Sequence, residues 1–110
     1  MTWYGFVQQG AFRAILVTKG RKTGKIHSVH LRAVSYNEMV FFSRRNENSD
    51  WLKNSLANPT IQVEFDGKLH SGVASLVTDE SLAKKISELK YPGEDRAQEV
   101  RIVLQVKLTN

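Results

Sequence analysis

Ile61-Gln62-Val63-Glu64-Phe65-Asp66-Gly67-Lys68-Leu69-His70 is the stretch that decides the fold. Ile61, Val63 and Phe65 alternate with Gln62 and Glu64, the period of two that puts apolar side chains on one face of a strand. Asp66-Gly67 is the strongest hairpin signal in the chain, because glycine accepts the positive φ that a tight primed turn demands. Lys68 to Val77 then reads as the returning strand, so the sheet begins as an antiparallel ribbon.

Working outward, a second hairpin lies upstream. Ile26 to Val34 alternates, with Val29, Leu31 and Ala33 pointing one way and Ile26, Ser28, His30 and Arg32 the other. Tyr36-Asn37-Glu38 turns the chain and Met39 to Ser43 returns. Phe12 to Thr18 reads as a first strand ended at Gly20, with room for a short helical lead-in before Phe12. A final strand runs from about Val100 to Leu108, with Val100, Ile102, Leu104, Val106 and Leu108 on one face.

Two helices interrupt the strands. Asn48 and Ser49 are suited to cap the first, Asp50 favours its positive end, and Trp51, Leu52 and Leu56 mark an apolar side before Asn58-Pro59 stops it. Thr78 is expected to cap the second, which carries Leu82, Ile86 and Leu89 along one side and stops at Tyr91-Pro92-Gly93. Six strands and two short helices in so small a chain predict a mainly β protein with minor α, an antiparallel sheet curled into a barrel. A barrel leaves no free edge for such strongly β-forming strands.

Composition bounds the function. At 110 residues, a single domain over 1–110 is the natural count. Hydrophobic residues make up 41% and charged residues 25%, which excludes a disordered or fibrous chain. No apolar run approaches the roughly 20 residues of a membrane helix, and the first ten residues lack a secretory signal, so a cytoplasmic protein is expected. Without cysteine, disulfides, thiolate catalysis and sulfur-bound zinc all drop out. Sixteen Lys and Arg against eleven Asp and Glu give a charge of +5 and point to an anionic partner.

The charge concentrates in Lys19-Gly20-Arg21-Lys22-Thr23-Gly24-Lys25, between the first two strands. Two glycines allow a sharp turn, Arg21 offers a planar fork of donors, Lys22 a mobile charge and Thr23 a hydroxyl. Together they suit a phosphate, although a solvated basic turn has the same composition. The loop is not a Walker loop, since the glycine-lysine-hydroxyl spacing is missing and a strand follows.

Gly20-Arg21-Lys22-Thr23-Gly24-Lys25, a hairpin, Ser43-Arg44, a Trp51-containing helix and Ala57-Asn58-Pro59, in that order, resemble the deazaflavin-dependent nitroreductase family. That family belongs to the split β-barrel flavin-binding superfamily, with the pyridoxamine-phosphate oxidase-like flavoproteins. The likeness runs from Phe12 to Leu108. It implies a six-stranded split barrel, a homodimer in the superfamily's manner, and a site for coenzyme F-420, with FMN as the alternative.

By the same resemblance Arg21, Lys22, Thr23 and Gly24 hold the phosphate-bearing tail. Ser43 and Arg44 match the family's Ser-Lys pair beside the ring, with Arg in place of Lys. His30 and Arg32 stand where many relatives carry proline and aromatic residues, and with Ser28 and Ser43 they are expected to form a polar ring-binding wall. After Tyr91-Pro92 the family's cluster of tyrosines is absent.

The expected activity is therefore that of an oxidoreductase passing hydride from reduced F-420 (or FMN) to an electron-poor small molecule such as a quinone or nitro compound. No side chain is singled out as catalytic. The alternative is a non-catalytic flavin or deazaflavin carrier. A nucleic-acid partner is not expected, because basic and aromatic residues do not interleave on a strand face. Nor is a metal, since His27 and His30 are three apart on a strand and so predicted on opposite faces. Trp51 is expected in packing, and Trp3, Tyr4 and Phe6 as an N-terminal flap.

Overall fold

The computed structural model describes residues 10–45 and 48–109. The strands are β1 (Gly10–Lys19), β2 (Ile26–Tyr36), β3 (Met39–Arg44), β4 (Thr60–Phe65), β5 (Lys68–Leu76) and β6 (Ile102–Leu108). The helices are α1 (Asp50–Ala57) and α2 (Glu80–Lys90), and a short 3-10 turn covers Asp95–Gln98. The strands close into an antiparallel barrel in the order β1-β2-β3-β6-β5-β4, the mainly β architecture that the alternation predicts.

Both hairpins turn as their residues require. Asp66 and Gly67 have φ of 52° and 73°, and Asn37 and Glu38 have φ of 51° and 63°, so each is a two-residue primed turn. β1 already includes Gly10 and Ala11, which replaces that part of the expected helical lead-in; its remainder, and Trp3, Tyr4 and Phe6, lie outside the described residues.

Inside the barrel, Leu16, Ala33, Val40, Phe42, Val63, Leu104 and Val106 are buried, and α1 closes one end with Trp51 and Leu52. Each large side chain removed from water in this way contributes about 1.5–3 kcal/mol. The Trp51 ring meets Phe42 edge-on at 6.1 Å. Outside the barrel, α2 lays Ala83 and Ile86 over Val34, Phe41 and Val103.

That outer cover explains one departure from simple alternation. Val103 and Leu104 are both buried, because β6 has the barrel interior on one face and α2 on the other. Val100 lies before the strand and is exposed, since the 3-10 turn occupies the preceding residues. In α1 it is Asn54 and Ser55, not Leu56, that are buried beside Trp51 and Leu52. The cap of α2 is Asp79, not Thr78: its carboxylate accepts from the N–H groups of Ser81 and Leu82.

Two seams of the barrel are short. β1 meets β4 only where Ile15–Val17 face Glu64–Gln62. β2 meets β3 only where Val34, Ser35 and Tyr36 face Phe41, Val40 and Met39. Upstream of Val34, β2 stays paired with β1 while leaving β3, and this fork opens the cleft described next.

Candidate functional site

The fork of β2 and β3 leads into a cleft of about 940 Å³, walled by β2 on one side and by Arg44, Ser49, Asp50, Trp51 and Asn54 on the other. The basic loop between β1 and β2 closes its outer end. Arg21, Lys22, Lys25 and Arg44 bring four cationic side chains to the lining, against the single carboxylate of Asp50. Val29, Leu31 and Trp51 supply apolar surface deeper in.

The loop is built rather than loose. Gly20 N–H donates to the Lys25 carbonyl at 2.7 Å and Gly24 N–H to the Gly20 carbonyl at 2.9 Å. Gly24 turns at φ 73°, a region open to glycine. A Cβ on Gly20 would stand 2.9 Å from His27 Nε2 and 3.1 Å from Thr23 Oγ1, so both side chains pack close against this glycine. Arg21 then ties the loop to α1: its backbone N–H and its Nη1 both donate to Asn54 Oδ1, at 3.2 and 2.7 Å, and Nη2 reaches Asp50 Oδ1 at 3.4 Å. The loop's N–H groups at Gly20, Arg21, Gly24 and Lys25 are thus engaged within the protein, and Lys22, Thr23 and Lys25 are the loop residues that face an anion with side chains.

Five of the eight residues singled out from the sequence line this cleft: Arg21, Lys22, Thr23, His30 and Arg44. Arg21 serves chiefly as the loop's anchor, and Arg44 Nε donates to Ser49 Oγ at 2.7 Å, so Ser49 spends its hydroxyl there and not on capping α1. Three residues fall elsewhere. Gly24 shapes the turn without lining the cleft. Arg32 lies further along β2, its guanidinium 5.7 Å from the Tyr91 ring centroid and its side chain beside a second cleft of about 690 Å³ that also includes His30. Ser43 is buried on the outer side of β3, facing α2; by register it shares that outer face with Arg32, but its hydroxyl is taken up by Lys90 and it does not line the cleft.

Sequence reasoning missed His27, Lys25, Asp50 and Asn54. His27 shares the parity of Val29 and Leu31 while His30 has the opposite one, yet both His27 and His30 line the cleft, because the β2 edge is open there. Asn54 carried no signal, since only the arrival of the loop makes it a partner. No group of three or more His, Asp or Glu side chains is gathered at metal-binding distances among the described residues, and no helix there is long and apolar enough to cross a membrane.

Beside Ser43 lies a cationic knot. Arg96 stacks on Tyr91 with its Cζ 3.9 Å from the ring centroid, and Arg101 Nη1 donates to the Tyr91 hydroxyl at 2.7 Å. Lys90 is buried, and that burial lowers its pKa below the usual lysine value, partly opposed by Tyr91. Burial raises the Tyr91 phenol, but Lys90 and Arg101 outweigh it and the net shift is downward.

No curated protein sequence matches the chain. Among solved structures, an F420-H2 dependent reductase is 24% identical and superposes with a TM-score of 0.67 over 86% of this chain and 92% of its own. A protein described as a domain-swapped dimer is 23% identical, with a TM-score of 0.69 over 96% and 87%. A FAD-binding protein from Mesorhizobium loti is 14% identical, with a TM-score of 0.58 over 94% and 83%. These likenesses are likenesses of fold. The sequence itself goes further: residues 4–109 match the F420H(2)-dependent quinone reductase family, and the chain belongs to that family of coenzyme F-420 oxidoreductases.

Proposed function

We propose that the chain holds coenzyme F-420 in the cleft between the open edge of β2 and α1, and that it reduces a quinone or nitro compound there. The observation that carries this reading is the cleft's gradient, from the cations of the loop at its mouth to Val29, Leu31 and Trp51 inside. A ligand with a phosphate-bearing anionic tail and a flat conjugated ring matches both ends.

The donor set fits such a group. Lys22, Thr23 and Lys25 meet the tail, and His27 faces it from β2. β2 also offers backbone. The Lys25 carbonyl turns toward β1, where it accepts from Gly20, so by alternation the polar groups of Ser28 and His30 turn toward the opening, ready for the ring's own donors and acceptors. Arg44, fixed by Ser49, places a positive charge beside that edge. Trp51 and Leu31 exclude water from the inner surface. When bound in its reduced form, the coenzyme supplies the hydride; the protein supplies position, charge and dryness. FMN has the same tail chemistry and is the alternative tenant. The assembly is read as a cytoplasmic homodimer, a reading supported by the dimeric relative described above.

The test is a fluorescence titration with oxidised F-420 and with FMN, followed by oxidation of reduced F-420 with menadione as acceptor. Lys22→Ala and Lys25→Ala should each weaken F-420 binding about tenfold, the scale of one charged hydrogen bond, and the wild-type affinity should fall as salt rises. Unchanged affinity in both variants rules out the tail assignment. Tight binding without menadione-dependent oxidation favours a carrier.

A further inference from the structure

The fork between β2 and β3 has a cause in the structure. Val77 N–H donates to the Val103 carbonyl at 2.9 Å, so Val103 spends its backbone groups toward β5. Its partner across the β3–β6 seam is Ser43, whose backbone groups must therefore face the other way, toward β2. In the β2–β3 register, Tyr36 faces Met39 and Val34 faces Phe41. Two residues further on, Arg32 would face Ser43. The Lys25 carbonyl's turn toward β1 gives the same parity, placing the Arg32 backbone toward β3.

That next pair does not form. The Ser43 carbonyl accepts instead from Lys90 Nζ at 3.2 Å, and Ser43 Oγ lies 3.1 Å from the same nitrogen. Lys90 is the last residue of α2, where a cation suits the helix's negative end, and it is held with its ammonium 5.2 Å from the Tyr91 ring. A strand carbonyl deprived of its neighbour and buried without a donor is costly; the ammonium provides the donor that a continuing ladder would otherwise supply.

We propose that Lys90 is a positioning residue that wedges β2 from β3 at the Arg32–Ser43 step and so sets the inner end of the coenzyme cleft. Its effect on the coenzyme rests on the site assignment above; its effect on the fork does not. One pair further toward the loop come Leu31 and Arg44, which line the cleft, so a ladder that advanced past Ser43 would draw its two walls together.

Amide hydrogen exchange of the ligand-free protein reads the fork directly. In the wild type, Arg32 N–H should exchange at least about tenfold faster than Val34 N–H, which sits in the last pair of the ladder. Lys90→Met keeps the side chain's reach and removes its donors. The freed Ser43 carbonyl then takes Arg32 N–H, so Arg32 exchange should slow about tenfold and F-420 affinity should drop about tenfold. Lys90→Arg, which retains donors, should bring both back to within about threefold.

Equal protection of Arg32 and Val34 in the wild type overturns the wedge, and that comparison needs no variant. So does unchanged Arg32 exchange in a folded Lys90→Met protein. Slowed exchange with unaltered F-420 affinity overturns the link to the cleft. Failure of the wild type to bind F-420 at all counts against the site assignment, and the exchange data still decide the wedge.

Discussion

Arg21 and Asn54 are joined twice through one oxygen: the Arg21 backbone N–H and its Nη1 both donate to Asn54 Oδ1, at 3.2 and 2.7 Å. The contact spans 33 residues and fastens the cationic loop to α1, which itself closes the barrel with Trp51 and Leu52. The loop's position is thus inherited from the core. An arginine that the sequence offers as a ligand for phosphate is here mainly what holds Lys22, Thr23 and Lys25 in front of the cleft.

Asn54→Ala should therefore act on the loop before it acts on any ligand. Removing the shared acceptor from a buried position costs about 1–3 kcal/mol. The loop should then open more often, and limited trypsin digestion at Arg21, Lys22 and Lys25 should run at least about tenfold faster than in the wild type. Asn54→Asp keeps an acceptor for the guanidinium and should stay close to wild-type resistance. Equal cleavage rates for Asn54→Ala and the wild type would show that the loop stands without this anchor.

The barrel was legible because its signals are local. Asp66-Gly67 fixes one hairpin through φ, and the period of two in Ile61–Phe65 and Ile26–Val34 assigns faces without knowledge of neighbours. What escaped was set by packing between distant segments. Ser43 belongs to a plain alternating strand, and only α2 on its outer side turns it toward Lys90. Val103 and Leu104 are adjacent, so a two-sided strand was needed to bury both. Leu56 was expected inside because it is apolar, whereas the incoming loop buries Asn54 on that turn. For the site, the loop residues were legible as a motif, while His27 and Asn54 became visible only once β2 had separated from β3 and the loop had reached α1.

Gly72 tests how tightly the β5–β6 seam is drawn. A Cβ there would stand 2.7 Å from Val106 Cγ1 and 3.1 Å from the Lys107 carbonyl oxygen, and the second of these is backbone that cannot rotate away. Gly72→Ala should destabilise the fold by about 1–3 kcal/mol, the usual cost of overpacking, read as a lowered midpoint in urea with an unchanged slope. Gly67 is the useful contrast. Nothing lies within 4 Å of its added Cβ, but its φ is +73°, so Gly67→Ala should cost about 1–2 kcal/mol through backbone strain alone. A Gly72→Ala protein as stable as the wild type would mean that β6 yields where the structure shows it packed.

Tyr91 connects the stability of the knot to pH. Its hydroxyl accepts from Arg101 Nη1 at 2.7 Å and lies beside Lys90; burial raises the phenol's pKa, and these two cations bring it below the ordinary value near 10. The folded pKa is thus depressed relative to the unfolded one. The resulting stabilisation is fully present above the unfolded value near 10 and is lost as pH falls through the lower folded value. The difference between wild type and Tyr91→Phe in phenolate ultraviolet absorbance should show a midpoint below about 10 in the folded protein, moving up to about 10 in denaturant. Over the same window, wild type should gain stability relative to Tyr91→Phe as pH rises. A difference curve centred at or above 10 in the folded state would mean that burial outweighs Lys90 and Arg101, and that the phenol stays protonated among its cations.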